Sequence, residues 1–185
     1  MRYRRMTISK LVVLAVLTAI AVVGRYAFSM LPNVKPMAAI AIISGTSLGA
    51  ESGLIVGAFS MLASNMMFGQ GPWTPWQMFT MGLIGFLAGI LFHRKWFAES
   101  AKRKRIGFLC LYGFFSILVL YGGIMNPASL IMVSHKLTAE NLTAIYLSGI
   151  PMDLVHAVST VLFLLVGAEP FLKKLERVKR KFQLL

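Results

Sequence analysis

The chain has 185 residues, of which 57% are hydrophobic and 14% charged, and its mean hydropathy is +0.74. This composition excludes an ordinary soluble domain and indicates a membrane protein. Since a spanning helix needs about 20 residues, the chain has room for about six crossings and none for an attached soluble catalytic domain. The single cysteine, Cys110, excludes an internal disulfide and a multi-cysteine metal cluster.

Apolar segments predict an all-α integral membrane protein with six transmembrane helices in one domain, residues 1–185. The predicted helices are roughly 8–30, 36–48, 53–68, 76–92, 106–124 and 144–166. The second and third are short and are separated only by residues 49–52. They are therefore either tilted crossings or a re-entrant hairpin.

The net charge of +13 comes from lysines and arginines that cluster along the chain. Of the 19 basic residues, 16 lie at the start of the first helix, between the fourth and fifth, or after the sixth. Because basic segments stay in the cytoplasm, we predict that both termini are cytoplasmic and that the number of crossings is even. The alternative for the first basic segment is a cleaved signal peptide, whose removal would leave basic segments on conflicting sides.

The three predicted outer connections hold the candidate ligand-binding residues. The first connection has two cations and two prolines, and the second is uncharged and rich in aromatic, amide, Gly and Pro residues. The third connection, residues 126–143, is long enough to act as a lid. Apolar walls with a few polar groups are typical of small-molecule pockets. The candidates from these connections are Arg25, Tyr26, Asn33, Lys35, Asn65, Phe68, Gln70, Trp73, Trp76, Gln77 and Asn126.

Trp73 and Trp76 have an alternative interpretation that needs no ligand. Tryptophans collect at the membrane interface as an aromatic belt. The Gln, Asn, Gly and Pro residues around these two rings favour a binding loop, because belt residues need no such scaffold. We therefore keep both tryptophans among the candidates.

Two ionisable residues lie inside the sixth apolar segment. Asp153 and His156 are three positions apart and share one helical face. Because charged groups are costly inside a membrane and normally face the protein interior, we include both as candidate substrate-binding residues. The alternative is an internal hydrogen-bonded pair that fixes this helix to its neighbours. The histidines are too scattered along the chain to predict a metal site.

The sequence contains no G-x-x-x-x-G-K-[ST] phosphate loop, no H-E-x-x-H and no G-x-S-x-G. We therefore expect neither catalysis nor direct use of ATP by this chain. Small residues recur four apart, as in Ala15 and Ala19, and such a stripe lets another helix approach closely.

These features resemble the substrate-binding S components of energy-coupling factor (ECF) vitamin transporters over almost the whole chain. The features that carry the resemblance are the six-span size, Ala15 with Ala19, the glycine-rich turn 45–57, the outer loop 68–77 and the segment 151–156.

The resemblance implies that this subunit captures a vitamin outside a bacterial cell and works with a membrane coupling protein and two ATPase subunits, which use the ATP. It places the chain in the plasma membrane, places Ala15 and Ala19 against the coupling protein, and implies no cofactor bound by this chain. Among S components the sequence looks most like the cobalamin type. Alternative substrates are a thiamine pyrimidine precursor, pantothenate, riboflavin and a modified-base precursor.

Two further functions stay open at this point. One is an ion-coupled small-molecule carrier that uses Asp153, and the other is a non-transporting scaffold assembled through the small-residue stripes. A carrier would transport alone, whereas an S component needs ATPase subunits.

Overall fold

A computed structural model describes residues 7–134, 138–182 and 184. Every regular element in these residues is a helix, which confirms the all-α prediction for them. The elements are α1 (Ile8–Ala27), α2 (Met37–Leu48), α3 (Ala50–Phe68), α4 (Trp73–Phe92), α5 (Lys95–Glu99), α6 (Lys102–Phe115), a π-helical segment (Ser116–Tyr121), α7 (Gly122–Ser134) and α8 (Ala139–Phe182).

Four helical stretches within the described residues are long and apolar enough to cross a membrane. They are Ile8–Ala27, Trp73–Phe92, Lys102–Val133 and Ala139–Phe182. α2 is also apolar, but it has only 12 residues. The chain is therefore a multi-pass membrane protein. The number of six crossings and the cytoplasmic position of both termini stay predictions.

α2 forms the centre of the bundle. Each of its residues is buried, and it packs against α3, α4, α6 and α8. Only Gly49 separates α2 from α3, with a φ of +96° that favours glycine because it has no Cβ. The predicted separator 49–52 is thus reduced to one residue, since α3 begins at Ala50.

Glycines allow α2, α3 and α4 to pack with their backbones in close contact. A methyl group added at Gly45 or Gly53 would overlap the carbonyl oxygen of Gly85 on α4. Small residues are what permits such close approach between helices in a membrane. The glycines of α2, α3 and α4 are therefore used for helix packing inside the chain.

Several helices are longer than the apolar segments that predicted them. The fifth predicted helix, 106–124, lies within the helical stretch 102–134, and the sixth, 144–166, lies within α8. Hydropathy marks only the apolar part of a helix, whereas Lys, Arg, Glu and Leu continue the helix beyond it. The short helix α5 was not predicted.

The predicted third connection is mostly helical. Residues 126–134 belong to α7 and residues 139–143 belong to α8, so the predicted connection over 126–143 is wrong for these residues, and its role as a lid stays a prediction. Residues 135–137 lie outside the described part of the chain. Pro127 and Pro151 are both accommodated inside helices, which is common in membrane proteins because neighbouring groups satisfy the freed backbone carbonyls.

The bundle has two chemically different ends. We call the end with the connections 28–36 and 69–72 the tryptophan end, because Trp73 and Trp76 lie there. We call the end with residues 93–105 and the final turns of α8, residues 169–182, the basic end. The candidate binding residues lie toward the tryptophan end, which we predict to be extracellular.

Candidate functional site

A network of five polar side chains joins α1, α3 and α4 at the tryptophan end. The Nη1 of Arg25 donates to the Ser64 Oγ at 2.6 Å and to the Asn65 Oδ1 at 2.8 Å. The Nδ2 of Asn65 donates to the Thr74 Oγ1 at 3.0 Å and to the Gln77 Oε1 at 2.8 Å. Asn65 is 1% exposed and thus holds the Gln77 amide in one orientation.

Aromatic rings border this network. The Arg25 guanidinium lies 4.9 Å from the centroid of the Phe68 ring, and the Tyr26 ring lies 6.1 Å from the same centroid. Cation–π contact adds to the hydrogen bonds that fix Arg25. Gln70, in contrast, is exposed, and its Nε2 makes one long bond of 3.4 Å to the carbonyl of Leu62.

A second polar cluster lies between the first connection, the π-helical segment and α8. The backbone N–H of Lys35 donates to the Ser159 Oγ at 3.1 Å, and its ammonium lies 5.5 Å from the centroid of the Tyr121 ring. Tyr121 in turn meets His156 edge to face, with centroids 4.8 Å apart. His156 is fully buried, and neither of its ring nitrogens has a hydrogen-bond partner among the described residues.

Lys35 belongs to the connection before α2 and is only 9% exposed. Burial, and to a smaller extent the charge of Arg25, lowers the pKa of its ammonium to about 8, while the charge of Asp153 opposes this shift. The two cations and one carboxylate therefore interact electrostatically. A ligand that brings hydrogen-bond acceptors close to Lys35 would stabilise its buried ammonium group.

The predicted pair Asp153 and His156 is not hydrogen-bonded to each other. Instead the Asn126 Nδ2 donates to the Asp153 Oδ2 at 3.0 Å, which joins α7 to α8. Gly122 and Gly149 make room for this pair, because a methyl group at either glycine would crowd the side chain of Asp153 or Asn126. The alternative of a bonded Asp153–His156 pair is wrong, because neither ring nitrogen of His156 has a partner among the described residues; Asp153 instead fixes α8 to its neighbour through Asn126.

A cavity of about 530 Å³ opens between the start of α4 and α7. Its walls are formed by Pro72, Trp73, Gln77, Met125, Ser129, Met132 and Val133. The walls are mostly apolar, and they present the Gln77 amide and the Ser129 hydroxyl, which suits a small organic molecule. Trp76 is 41% exposed and is not part of this wall.

The structure brings the candidates into three groups whose binding roles stay predictions. Arg25, Asn65 and Gln77 share one network, Lys35 and His156 meet around Tyr121, and Asn126 pairs with Asp153. Other candidates lie at the periphery, where Asn33 donates to the carbonyl of Met152 at 3.3 Å. The peripheral candidates are Tyr26, Asn33, Gln70 and Trp76.

Several residues of the site were not selected from the sequence. They are Ser64, Thr74, Tyr121, Met125, Ser129 and Ser159. Tyr121 had a usable signal, because a phenol inside a long apolar run needs a polar partner. The serines and methionines had none, since these residues are frequent in the interior of membrane helices.

A comparison with known protein families shows which family the chain belongs to. A family model described as "ECF-type riboflavin transporter, S component" matches residues 5–177 of the chain. The chain belongs to this family. No solved structure matches it. The resemblance to ECF S components drawn from the sequence is thereby confirmed.

The match shows that the chain is an S component, but it does not show which substrate this chain binds. Cobalamin, the preferred ligand from the sequence, is not supported, since the family's name points to riboflavin, one of the stated alternatives. Ala15 and Ala19 of the S component are exposed on α1, beside Leu11, Val12 and Val16. Their contact with a coupling protein stays a prediction.

Proposed function

We propose that this S component binds riboflavin in the cavity beside Trp73 and Gln77 and delivers it through a membrane coupling protein and two ATPase subunits. The observation that carries the proposal is the position of Gln77, whose amide lines the cavity and is oriented from behind by Asn65. A side chain held in this way offers its remaining hydrogen bonds in a fixed direction.

The cavity walls suit the chemistry of a flavin. Its isoalloxazine ring system is flat, apolar at one edge and rich in donors and acceptors at the imide edge. An indole such as Trp73 provides a face for stacking, and thioethers such as Met125 and Met132 adapt to aromatic edges. Gln77 and Ser129 provide both donors and acceptors for the imide edge or the ribityl hydroxyls.

The size of the cavity favours riboflavin over cobalamin. A volume of about 530 Å³ lies within the range of roughly 300–1,000 Å³ typical for small organic ligands. Cobalamin is several times larger than riboflavin. The walls come from the second predicted connection and α7, and not from all three connections as a wide mouth for cobalamin would require.

Binding selectivity provides the direct test. The purified chain in detergent should quench riboflavin fluorescence with saturable affinity in the absence of ATP, and excess cobalamin, thiamine or pantothenate should not compete. Gln77→Leu should weaken riboflavin binding by at least about tenfold, because a buried hydrogen bond to the ligand is lost. Gln70→Leu is the matched control, since Gln70 lies outside the cavity wall. Equal affinity of the two variants, or competition by cobalamin, would contradict the proposal.

Transport tests the proposed partners. Vesicles that contain this chain alone should not accumulate riboflavin, whereas vesicles with the coupling protein and both ATPases should do so with ATP. Replacing Ala15 and Ala19 by leucine should abolish copurification with the coupling protein and preserve riboflavin binding, because bulky residues prevent close helix approach. Uptake by the chain alone, driven by a proton or sodium gradient, would instead support the ion-coupled carrier.

A further inference from the structure

A second cavity lies at the basic end, on the other side of the bundle from the proposed riboflavin site. It has a volume of about 500 Å³ and lies where the last turn of α2, the α4–α5 junction, α6 and the final turns of α8 meet. Its apolar surface comes from Phe92, Phe97 and Leu172. The wall is therefore built from three parts of the chain that are distant in sequence, within residues 46–47, 92–105 and 172–180.

The walls of this cavity carry a surplus of positive charge. They include six cationic residues and one carboxylate: Arg94, Lys95, Arg105, Lys173, Lys179 and Arg180 against Glu176. Two carboxylates pair with four of these cations, because Glu169 binds Arg105 and Lys173, and Glu176 binds Lys179 and Arg180.

Arg94 and Lys95 are the cations that remain. Neither has a carboxylate partner in the described ranges 7–134, 138–182 and 184. The Nε of Arg94 donates to the carbonyl of Ile90 at 3.0 Å, which leaves the terminal guanidinium nitrogens free to bind an anion. Two adjacent unneutralised cations at the rim of a cavity attract an anion more strongly than either does alone.

Buried groups with unmade hydrogen bonds lie in the same wall. Thr46 is 5% exposed, and its hydroxyl has no partner in the part of the chain that the structure describes. The Nε of Arg105 is also buried and unpaired there. Buried donors are normally hydrogen-bonded, so these two groups are available to a ligand that carries acceptor oxygens.

The need for positive charge on the cytoplasmic side does not explain this arrangement. Lys102, Arg103 and Lys104 satisfy that need equally well from the same connection, and they are exposed and outside the cavity wall. Arg94, Lys95 and Arg105 instead converge on one concave surface. Basic pockets between helices at this depth bind phosphate headgroups.

We propose that the cavity at the basic end binds a phosphate-bearing molecule, with the phosphate held by Arg94, Lys95 and the hydroxyl of Thr46. Phosphate oxygens accept charge-assisted hydrogen bonds from guanidinium and ammonium groups. The apolar wall of Phe92, Phe97 and Leu172 accommodates the rest of the molecule. This site is separate from the riboflavin site and does not depend on which vitamin is bound there.

The test compares two double variants of the full chain that lose the same charge. Arg94→Gln with Lys95→Gln removes the cations of the cavity, and Lys102→Gln with Lys104→Gln removes two cations outside it. Pyrophosphate, titrated at constant ionic strength in detergent, should raise the melting temperature of the wild type and of the second variant. Binding to the first variant should weaken by at least about tenfold. Thr46→Val should weaken it as well.

A lipid arm distinguishes the two sources of phosphate. The protein is placed in nanodiscs of phosphatidylglycerol or phosphatidylcholine, and native mass spectrometry then detects the lipid molecules that stay bound to it. Retention of phosphatidylglycerol that is lost in Arg94→Gln with Lys95→Gln identifies a lipid headgroup, and pyrophosphate binding without lipid retention identifies a soluble phosphate. Both results support the site. Equal losses in the two double variants, or no binding of either probe, would overturn it. Riboflavin affinity, measured in parallel, should be unchanged in both double variants and in Thr46→Val.

Discussion

The ring of His156 meets the ring of Tyr121 edge to face at a centroid distance of 4.8 Å and an interplanar angle of 89°. The imidazole is held by packing rather than by hydrogen bonds, since both nitrogens lack a partner among the described residues. An unpaired buried polar group destabilises a fold by about 1–3 kcal/mol. The two unpaired nitrogens of His156 therefore lower the stability of the fold, and a substitution that removes them should raise it.

His156→Phe should therefore be at least as stable as the wild type without ligand, because Phe keeps the ring contact and removes the unpaired nitrogens. Denaturant unfolding of the ligand-free protein in detergent measures this. His156→Ala is the comparison and should be less stable, since it leaves a cavity. A marked loss of stability in His156→Phe would show that the imidazole makes a hydrogen bond in the membrane.

The two tryptophans at the start of α4 should differ in their effect on binding. Trp73→Ala should weaken riboflavin binding by about tenfold or more, because the indole forms part of the cavity wall. Trp76→Ala should change affinity little, since that equally exposed ring lies outside the wall and suits the aromatic belt. Fluorescence titration measures both. Equal affinity losses would place Trp76 in the site.

Lys35 should make stability depend on pH. Its pKa of about 8 in the folded state lies below the usual 10.5, so the unfolded chain binds more protons between these values. The free energy of unfolding should accordingly rise with pH from about 8 to 10.5, as the buried ammonium loses its charge. Lys35→Met should lack this part of the pH dependence and should be more stable than the wild type at pH 7. Identical pH profiles of both proteins would show that Lys35 is solvated.

The glycine contact between α3 and α4 should tolerate no side chain. Gly85→Ala should lower the free energy of unfolding by about 1–3 kcal/mol, because the added methyl group meets the backbone of Gly53. Gly123→Ala is the matched control in α7, where a methyl group meets no atom within 4 Å. It should be neutral or slightly stabilising. Unfolding in detergent compares the two, and equal stability would mean that α3 and α4 separate easily.

The sequence predicts the helices more reliably than their ends. The apolar runs correctly predict helical structure, but they stop at residue 166, whereas α8 continues to Phe182. Beyond the apolar run the helix is supported by burial of Leu175 and by the ion pairs of Glu169 and Glu176. These ion pairs lie mostly within α8 itself, and charged residues leave no apolar signal by which hydropathy could detect the helix.

The candidate site is predictable where polar residues stand out against an apolar background. Arg25, Asn65 and Gln77 were selected individually, but their shared network depends on the packing of three helices. Their pairing could not be read from spacing, because 40 positions separate Arg25 from Asn65. Asp153 was assigned the wrong alternative partner for the same reason, since Asn126 approaches it from another helix.

The length of α8 gives the two ends of the molecule a mechanical connection. His156 and Glu176 lie on this one helix about 30 Å apart, at a rise of 1.5 Å per residue. A tilt of about ten degrees pivoting at one of them would displace the other by about 5 Å. Pro170 lies in α8 between these two residues and removes one backbone hydrogen bond of the helix, because proline has no backbone N–H. α8 therefore extends from the Tyr121–His156 contact to the wall of the cavity at the basic end, so that a change in its tilt moves both regions together.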